Sequence, residues 1–257
     1  MKLSISNFAW NFSENDFAFN ILNKHGIKNI EGVLTKINDW KILSVDDVVN
    51  FKRIMDSYGV VMESVQSIFY GVKCDGLHDK KIVIPHIERL IGFSKILGVK
   101  VLILGSPNLR RKNLEWESEL SDTFKTIDSM LENTGIEMSI EPNTKSYGGD
   151  YFYTLTQIVD FINMNNLHNI KTMIDTHNLI SEGLDPCDEI VRYYQKINHI
   201  HISEPNLTPI QNFEFHNKFS EVIKSLKYDK IITYELLKCE NFDECVDVFK
   251  KIYYYLQ

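Results

Sequence analysis

Short apolar runs rich in Ile and Val alternate along the chain with longer segments of helical periodicity, and the alternation repeats eight times. Apolar runs of this length are typical of strands that are buried on both faces, as in a parallel sheet. The eight predicted strands are KLSIS near residue 2, IKNIEGV near residue 27, GVVMESV near residue 59, VKVLILG near residue 99, IEMSIE near residue 136, IKTMID near residue 170, INHIHIS near residue 197 and KIITYEL near residue 230.

The segments between these runs predict helices. HIERLIGFSKILG begins at His86 and ends at Gly98, and WESELSDTFKTIDSMLENTG ends in the same way at Gly135. A glycine directly after the last apolar position favours the end of a helix because it adopts the left-handed backbone conformation readily. A third predicted helix, CVDVFKKIYYYL, ends the chain.

The succession of strands and helices contains no linker and no change of composition, which predicts one domain over residues 1–257. Eight units in about 250 residues favour a (β/α)8 barrel, of the α/β class. An open doubly wound sheet would have about five or six strands and a glycine-rich first turn. The first predicted strand is followed by SNFAWN, which has no glycine.

Composition narrows the classes of partner. The net charge of −7 gives no electrostatic reason to bind nucleic acid, and we interpret the one dense basic cluster, Arg110-Arg111-Lys112, as a solvated loop. None of the four cysteines forms a C-x-x-C pair, and MKLSISNFAW is too short and too polar for a signal peptide. No apolar run reaches the roughly 20 residues that span a bilayer. We therefore expect a reduced, cytoplasmic protein without a membrane partner.

Polar residues stand where four consecutive predicted strands end. In (β/α)8 barrels the active site is built from these strand ends and the loops that follow. The residues are Glu141, Asp175, His201 and Glu235. Each one alone could be a salt-bridge partner or a core histidine, but together their charges would repel unless a cation lay between them. The set predicts one divalent metal ion, with Mn²⁺ expected first and Mg²⁺, Co²⁺ or Zn²⁺ as alternatives.

Further residues near the strand ends are candidate substrate contacts. Packing of Trp10 and a salt bridge of Glu31 stay open as alternatives. His216 opens a further predicted helix, HNKFSEVIKSL, so a capping or surface role stays open for it. His199 has the strand parity of His201, which places it lower in the barrel as a hydrogen-bonded or ligand-orienting group. The candidate contacts are Asn7, Trp10, Glu31, Gln66, Ser67, Asn143, Tyr147, His177, Asn178, Glu204 and His216.

The chain resembles the xylose isomerase-like TIM barrel superfamily, in particular its sugar isomerase and epimerase branch. The resemblance covers the whole chain and is carried by E-P-N at Glu141, I-D-T at Asp175, H-I-H-I-S-E around His201 and Y-E-L at Glu235. It implies that these four residues bind one metal ion and that Glu141 and Glu235 also act as acid and base. No nicotinamide is then needed, and a homodimer is expected by analogy.

Departures from the family pattern limit the substrate assignment. Ketohexose 3-epimerases carry a glutamate, a histidine and an arginine where this chain has Tyr147, Asn178 and Leu207. The related endonuclease IV needs histidines at the ends of strands three and four, where this chain has Gln66-Ser67 and Ser106-Pro107. DNA repair is therefore disfavoured.

The sequence supports an isomerase or epimerase that acts on a small sugar-like molecule. A dehydratase or hydrolase would use the same ligands, so the residues do not separate these two reactions. A barrel that binds a small molecule without catalysis is a third hypothesis, and the intact set of ligands argues against it.

Overall fold

Eight parallel strands close into a barrel in chain order, and the last strand pairs with the first. The protein is described here by a computed structural model that covers residues 1–110 and 117–254. The (β/α)8 barrel predicted from the alternating pattern is confirmed. The strands are β1 Lys2–Ser6, β2 Asn29–Gly32, β3 Val61–Val65, β4 Val101–Leu104, β5 Glu137–Ile140, β6 Ile170–Asp175, β7 Ile197–Ile202 and β8 Ile231–Tyr234.

Helices follow the strands and pack around the barrel. In the described part of the chain they are α1 Asn15–Lys24, α2 Val45–Ser57, α3 Lys80–Leu97, α4 Glu117–Leu131, α5 Leu155–Met164, α6 Thr176–Ser181, α7 Pro186–Tyr193, α8 Phe213–Ser225 and α9 Phe242–Tyr253. None of the helices in these ranges combines the length and hydrophobicity that a bilayer-spanning segment requires.

Three helix starts differ from the predicted ones, and the simplest case is α9, which begins at Phe242, three residues before Cys245. Helix α3 begins six residues before His86 because Asp79 caps it through the backbone N–H of Lys81, and Pro85 costs the helix only one hydrogen bond. Helix α8 begins at Phe213, so His216 lies inside its first turn and does not open the helix. The predicted helix end at Gly98 is confirmed by its φ of 82°.

The barrel has separate inner and outer apolar regions. Alternate strand residues face the surrounding helices and form the large core. Inside the barrel, four apolar residues form a small cluster of their own, and polar residues occupy many of the other inward positions. The inner cluster consists of Val101, Ile103, Met173 and Ile231. The polar interior leads up to the carboxyl ends of the strands.

Candidate metal centre

The four predicted ligands meet at the carboxyl ends of β5 to β8. His201 Nδ1 lies 3.4 Å from Glu141 Oε1, 3.7 Å from Asp175 Oδ2 and 3.5 Å from Glu235 Oε2. One donor atom from each residue falls within 4.8 Å of every other, a grouping that could hold a metal ion. His201 is only 1% exposed, so these carboxylates surround an imidazole that water hardly reaches.

Backbone pairing holds the ligands in place. The N–H groups of Glu141 and Glu235 donate to the carbonyl groups of Leu104 and Ile202 on neighbouring strands, at 3.1 and 2.9 Å. Both residues thus continue the barrel ladder one step beyond their strands. Rigid attachment of this kind gives a site better precision than a free loop would.

Asp175 is fixed by its own side chain as well. It is the last residue of β6 and the N-cap of α6, and its Oδ1 accepts hydrogen bonds from the Asn178 backbone N–H and the Ser203 hydroxyl at 2.7 and 2.9 Å. The other carboxylate oxygen, Oδ2, is thereby directed toward His201. An N-cap of this kind explains why an aspartate precedes a short helix at this strand end.

The charges of the site shift its protonation. Burial raises the pKa of Glu235 to about 8, with further contributions from the charges of Glu141 and Asp175. Burial also raises the pKa of Glu141. For His201, burial acts in the opposite direction, but the carboxylates of Glu31 and Glu235 raise its pKa well above the ordinary value. Protons therefore compensate the negative charge when no cation is bound.

The residues fit a divalent cation. Ligands with bonds of about 2.1 Å to one ion stand about 3.0–3.4 Å apart, close to the separations found around His201 Nδ1. Those separations exceed the usual N–H···O hydrogen-bond length of about 2.9 Å. Three carboxylates and one imidazole nitrogen are also the donor types preferred by Mn²⁺ and its neighbours.

A cavity of about 230 Å³ is lined by three of the four ligands, Glu141, Asp175 and Glu235. Its volume lies just below the range that is typical of small-molecule pockets, about 300–1,000 Å³. Polar and apolar side chains line the cavity, and the apolar ones include Phe8, Ile103, Pro107 and Leu207. Of the predicted substrate contacts it brings together Gln66, Ser67, Asn143, Tyr147, His177 and Asn178.

Left-handed backbone conformations cluster on the cavity wall. The φ values are 53° at Ser67, 46° at Ser106 and 53° at Leu207, and residues other than glycine rarely adopt such values. Each such residue costs of order 1 kcal/mol or more, and such conformations concentrate at functional sites. Their position indicates that the surrounding structure holds these loops in one shape.

Two predicted contacts from the first strand exit lie away from the cavity. Asn7 Oδ1 accepts a hydrogen bond from the Val33 backbone N–H at 3.1 Å. Trp10 is 3% exposed and its indole N–H donates to Asn15 Oδ1 at 2.8 Å, so it packs the loop as the alternative interpretation held.

Glu204 and His216 form a hydrogen-bonded network and are not among the residues that line the cavity. Glu204 Oε1 accepts from the backbone N–H groups of Gln211 and Asn212 at 2.9 Å and lies 3.1 Å from His216 Nε2. His216 Nδ1 lies 2.6 Å from the Tyr253 hydroxyl. The network ties the loop after β7 to α8 and α9.

Glu31 lies below the ligands and not at the mouth. It is fully buried, with Oε1 2.8 Å from His201 Nε2 and Oε2 3.0 Å from His199 Nε2. His199 thus occupies the lower position that its strand parity predicts. These three residues form a second group that could hold a metal ion.

Arg110 was missed by sequence reasoning. The predicted solvated loop is wrong for this residue, which is fully buried, while Arg111 and Lys112 lie outside the described residues. Its guanidinium donates to the carbonyl groups of Leu104 and Glu141, the latter at 2.7 Å. A run of three basic residues does not reveal which one supplies donors to carbonyl groups at strand ends.

Comparison with known proteins assigns this barrel to a family. Residues 19–251 match the model of the xylose isomerase-like TIM barrel family. The chain belongs to that family. The predicted resemblance is therefore confirmed for the xylose isomerase-like barrel as a whole. No curated protein sequence matches the chain.

Solved structures of proteins with several different names share the fold. The E. coli 3-keto-D-glucoside 4-epimerase has 15% identity and a TM-score of 0.78, over 98% of this chain and 99% of that one. The family 2 AP endonuclease from Brucella melitensis has 14% identity and a TM-score of 0.78, over 98% of this chain and 99% of that one. The probable 3-DHS dehydratase from Bacillus anthracis has 13% identity and a TM-score of 0.72, over 98% of each chain. At these identities the likeness shows the fold alone.

The raised pKa values predict how stability depends on pH. Glu141, Glu235 and His201 bind protons more tightly in the folded than in the unfolded chain, so the stability that these three groups contribute to the metal-free protein falls as pH rises from about 5 to about 8. A cation replaces those protons. We expect the rise in melting temperature on adding Mn²⁺ to grow over this range, measured by scanning calorimetry. A rise that is constant or shrinks with pH would contradict the electrostatic account.

Arg110→Met should lower the free energy of unfolding by about 2–4 kcal/mol, because several buried carbonyl groups lose their donor. It should also weaken Mn²⁺ binding, since Glu141 loses its backbone anchor. Arg89→Met is the matched control, because Arg89 also donates to backbone carbonyl groups, those of Trp40 and Leu43, but on the outside of the barrel. Chemical denaturation and calorimetric titration test both variants. Equal Mn²⁺ affinity in the two would refute the anchoring role of Arg110.

Proposed function

We propose that the protein is a metal-dependent isomerase or epimerase of a sugar or sugar derivative that works by carboxylate-mediated proton transfer. One observation carries the proposal. Glu141 and Glu235 converge on the same imidazole nitrogen, and both line the cavity. Two carboxylates at one point of a cavity are suited to accept a proton from a bound substrate and to return one.

Glu141, Asp175, His201 and Glu235 would hold the cation. When bound, it would polarise a carbonyl and a neighbouring hydroxyl group of the substrate and so acidify the adjacent C–H bond. Mn²⁺ is our first expectation, and the reaction as proposed needs no nicotinamide.

Glu141 and Glu235 divide the proton transfer. One carboxylate accepts the proton from the carbon next to the carbonyl, which leaves an enediolate, and a proton then returns to a carbon. Return to the same carbon from the opposite face inverts it, which is epimerisation. Return to the neighbouring carbon, together with transfer of a proton from the former hydroxyl oxygen to the former carbonyl oxygen, exchanges aldose and ketose, which is isomerisation.

The cavity wall suggests how the substrate is held. Gln66, Asn143 and His177 offer hydrogen-bonding groups for hydroxyls, while Phe8 and Leu207 offer an apolar surface for a carbon face. Leu207, Asn178 and Tyr147 replace the charged or imidazole residues of ketohexose 3-epimerases, so we expect another sugar or a sugar derivative. The absence of nucleic acid partners and the homodimer stay predictions.

Dehydration with the same ligands is the second candidate. The structural likeness to the probable 3-DHS dehydratase extends over 98% of both chains. In that reaction a carboxylate would remove the same type of proton, and a hydroxyl group on the next carbon would leave as water.

Deuterium exchange from solvent into a panel of sugars, keto-sugars and keto-inositols, with Mn²⁺ present, tests the proposal. We expect exchange at the carbon next to the carbonyl together with a new isomer. Glu141→Gln and Glu235→Gln should each lower the rate by at least about a hundredfold. Glu204→Gln is the matched control, because this buried carboxylate braces a loop and does not contact the four ligands.

Each result has a distinct meaning. Loss of water with an unsaturated product would establish the dehydratase instead. Turnover and Mn²⁺ binding that both survive Glu235→Gln would refute the site itself.

A further inference from the structure

We propose that Gly105 is a positioning residue that leaves space for one carboxylate oxygen of Glu141 and so directs the other oxygen toward the metal site. Gly105 directly follows β4 and lines the cavity. The proposal rests on the metal-dependent function above. It assigns a role in that function to a residue that has no side chain of its own.

A methyl group at Gly105 would collide with the side chain of Glu141. A Cβ atom built on Gly105 would lie 2.5 Å from Glu141 Oε2, whereas ordinary van der Waals contacts begin at 3.4 Å. Its next neighbours, Cδ of Glu141 and Nδ2 of Asn143, would be 3.8 and 4.0 Å away. The conflict therefore involves one carboxylate oxygen, which would have to withdraw from 2.5 to 3.4 Å, or by about 0.9 Å.

The backbone conformation of Gly105 does not itself require a glycine. Seven glycines of the described residues have a positive φ, which other residues rarely adopt, and Gly105 is not one of them. An alanine could therefore take the same backbone conformation without strain. The requirement that the structure does show is space for Glu141.

Hydrogen bonds hold the backbone on both sides of this space. The carbonyl group of Gly105 accepts from Asn143 Nδ2 at 3.1 Å. The carbonyl group of Leu104 accepts from the Glu141 backbone N–H at 3.1 Å, and also from the guanidinium of Arg110. Because these bonds tie the two strand ends together, we expect the Glu141 side chain to rotate, and the backbone to stay, when a methyl group is added.

Rotation of the carboxylate would disturb the metal site, because its two oxygens move as one rigid group. Oε1 of Glu141 lies 3.4 Å from His201 Nδ1, within the spacing expected for two ligands of one ion. Withdrawal of Oε2 from position 105 carries Oε1 away from this place. The same carboxylate transfers a proton in the proposed reaction, which is sensitive to shifts of about 1 Å.

Space for the substrate is the competing interpretation, because Gly105 also lines the cavity. A methyl group that only obstructed the substrate would hinder turnover and leave Mn²⁺ binding unchanged. A methyl group that displaces Glu141 weakens Mn²⁺ binding with no substrate present. Titration of the metal alone therefore separates the two interpretations.

Calorimetric titration of Mn²⁺ into Gly105→Ala and the wild type, without substrate, is the test. We expect affinity about 10–100-fold lower in the variant, the usual loss when the orientation of a metal ligand is disturbed. The free energy of unfolding of the metal-free protein should change little, since the displaced group is the end of a flexible side chain. Gly92→Ala is the matched control. Gly92 lies in α3, and a Cβ atom there would meet nothing within 4 Å, so affinity should equal that of the wild type.

Each outcome supports or overturns the proposal. Equal Mn²⁺ affinity in Gly105→Ala and the wild type overturns the positioning role and leaves the proposed function standing. An equal loss of affinity in Gly92→Ala also overturns the role, because the loss would not come from contact with Glu141. No Mn²⁺ binding by the wild type overturns both proposals. Weaker binding in Gly105→Ala, with no deuterium exchange by the wild type, supports the positioning role and counts against the isomerase.

A crystal structure of the Mn²⁺-loaded wild type covers the case in which Gly105→Ala fails to fold. We expect Glu141 Oε1 on the ion and Oε2 in van der Waals contact with the Cα atom of Gly105, within about 4 Å. A Glu141 carboxylate that binds the ion while turned away from Gly105 would overturn the proposal.

Discussion

Four carboxylates surround one buried imidazole, and the repulsion among them is the constraint on which the rest of the structure depends. Glu141, Asp175 and Glu235 approach His201 Nδ1 from the barrel mouth, while Glu31 approaches Nε2 from inside. Negative charges this close are not stable in a buried site without compensation. Protons supply it in the metal-free protein, which explains the raised pKa values of the site. A divalent cation would supply it in the loaded protein.

The barrel holds these mutually repelling carboxylates rigidly in place. Ladder hydrogen bonds continue through Glu141 and Glu235, and Asp175 caps a helix with the oxygen that does not face the centre. Buried Arg110 anchors the backbone of Glu141 to the end of β4. The large apolar core between strands and helices stabilises the barrel, so that the polar interior can be tuned for chemistry.

The sequence predicted what depends on local pattern. Eight apolar runs with helical segments between them predicted the barrel, and the residue types at four strand ends predicted the grouping around His201. Both follow from strand parity and from the shared direction of parallel strands. The family pattern added the assignment of metal ligands.

Features that depend on distant contacts were not predictable. Arg110 is charged and stands in a basic run, yet it is buried because carbonyl groups at two strand ends need donors. Glu204 and His216 are polar and near the mouth, but they bond to α8 and α9. Glu31 faces the interior, where its neighbours are His199 and His201 of β7. In each case the partner lies far away in the chain, and the residue type alone does not identify it.

Anomalous diffraction at the manganese edge, from crystals grown with Mn²⁺, tests the central claim most directly. The account predicts a single peak per chain, bonded to Glu141, Asp175, Glu235 and the Nδ1 atom of His201. A peak on the Nε2 side, between Glu31 and the two histidines, or no peak at the mouth of the barrel, would contradict it.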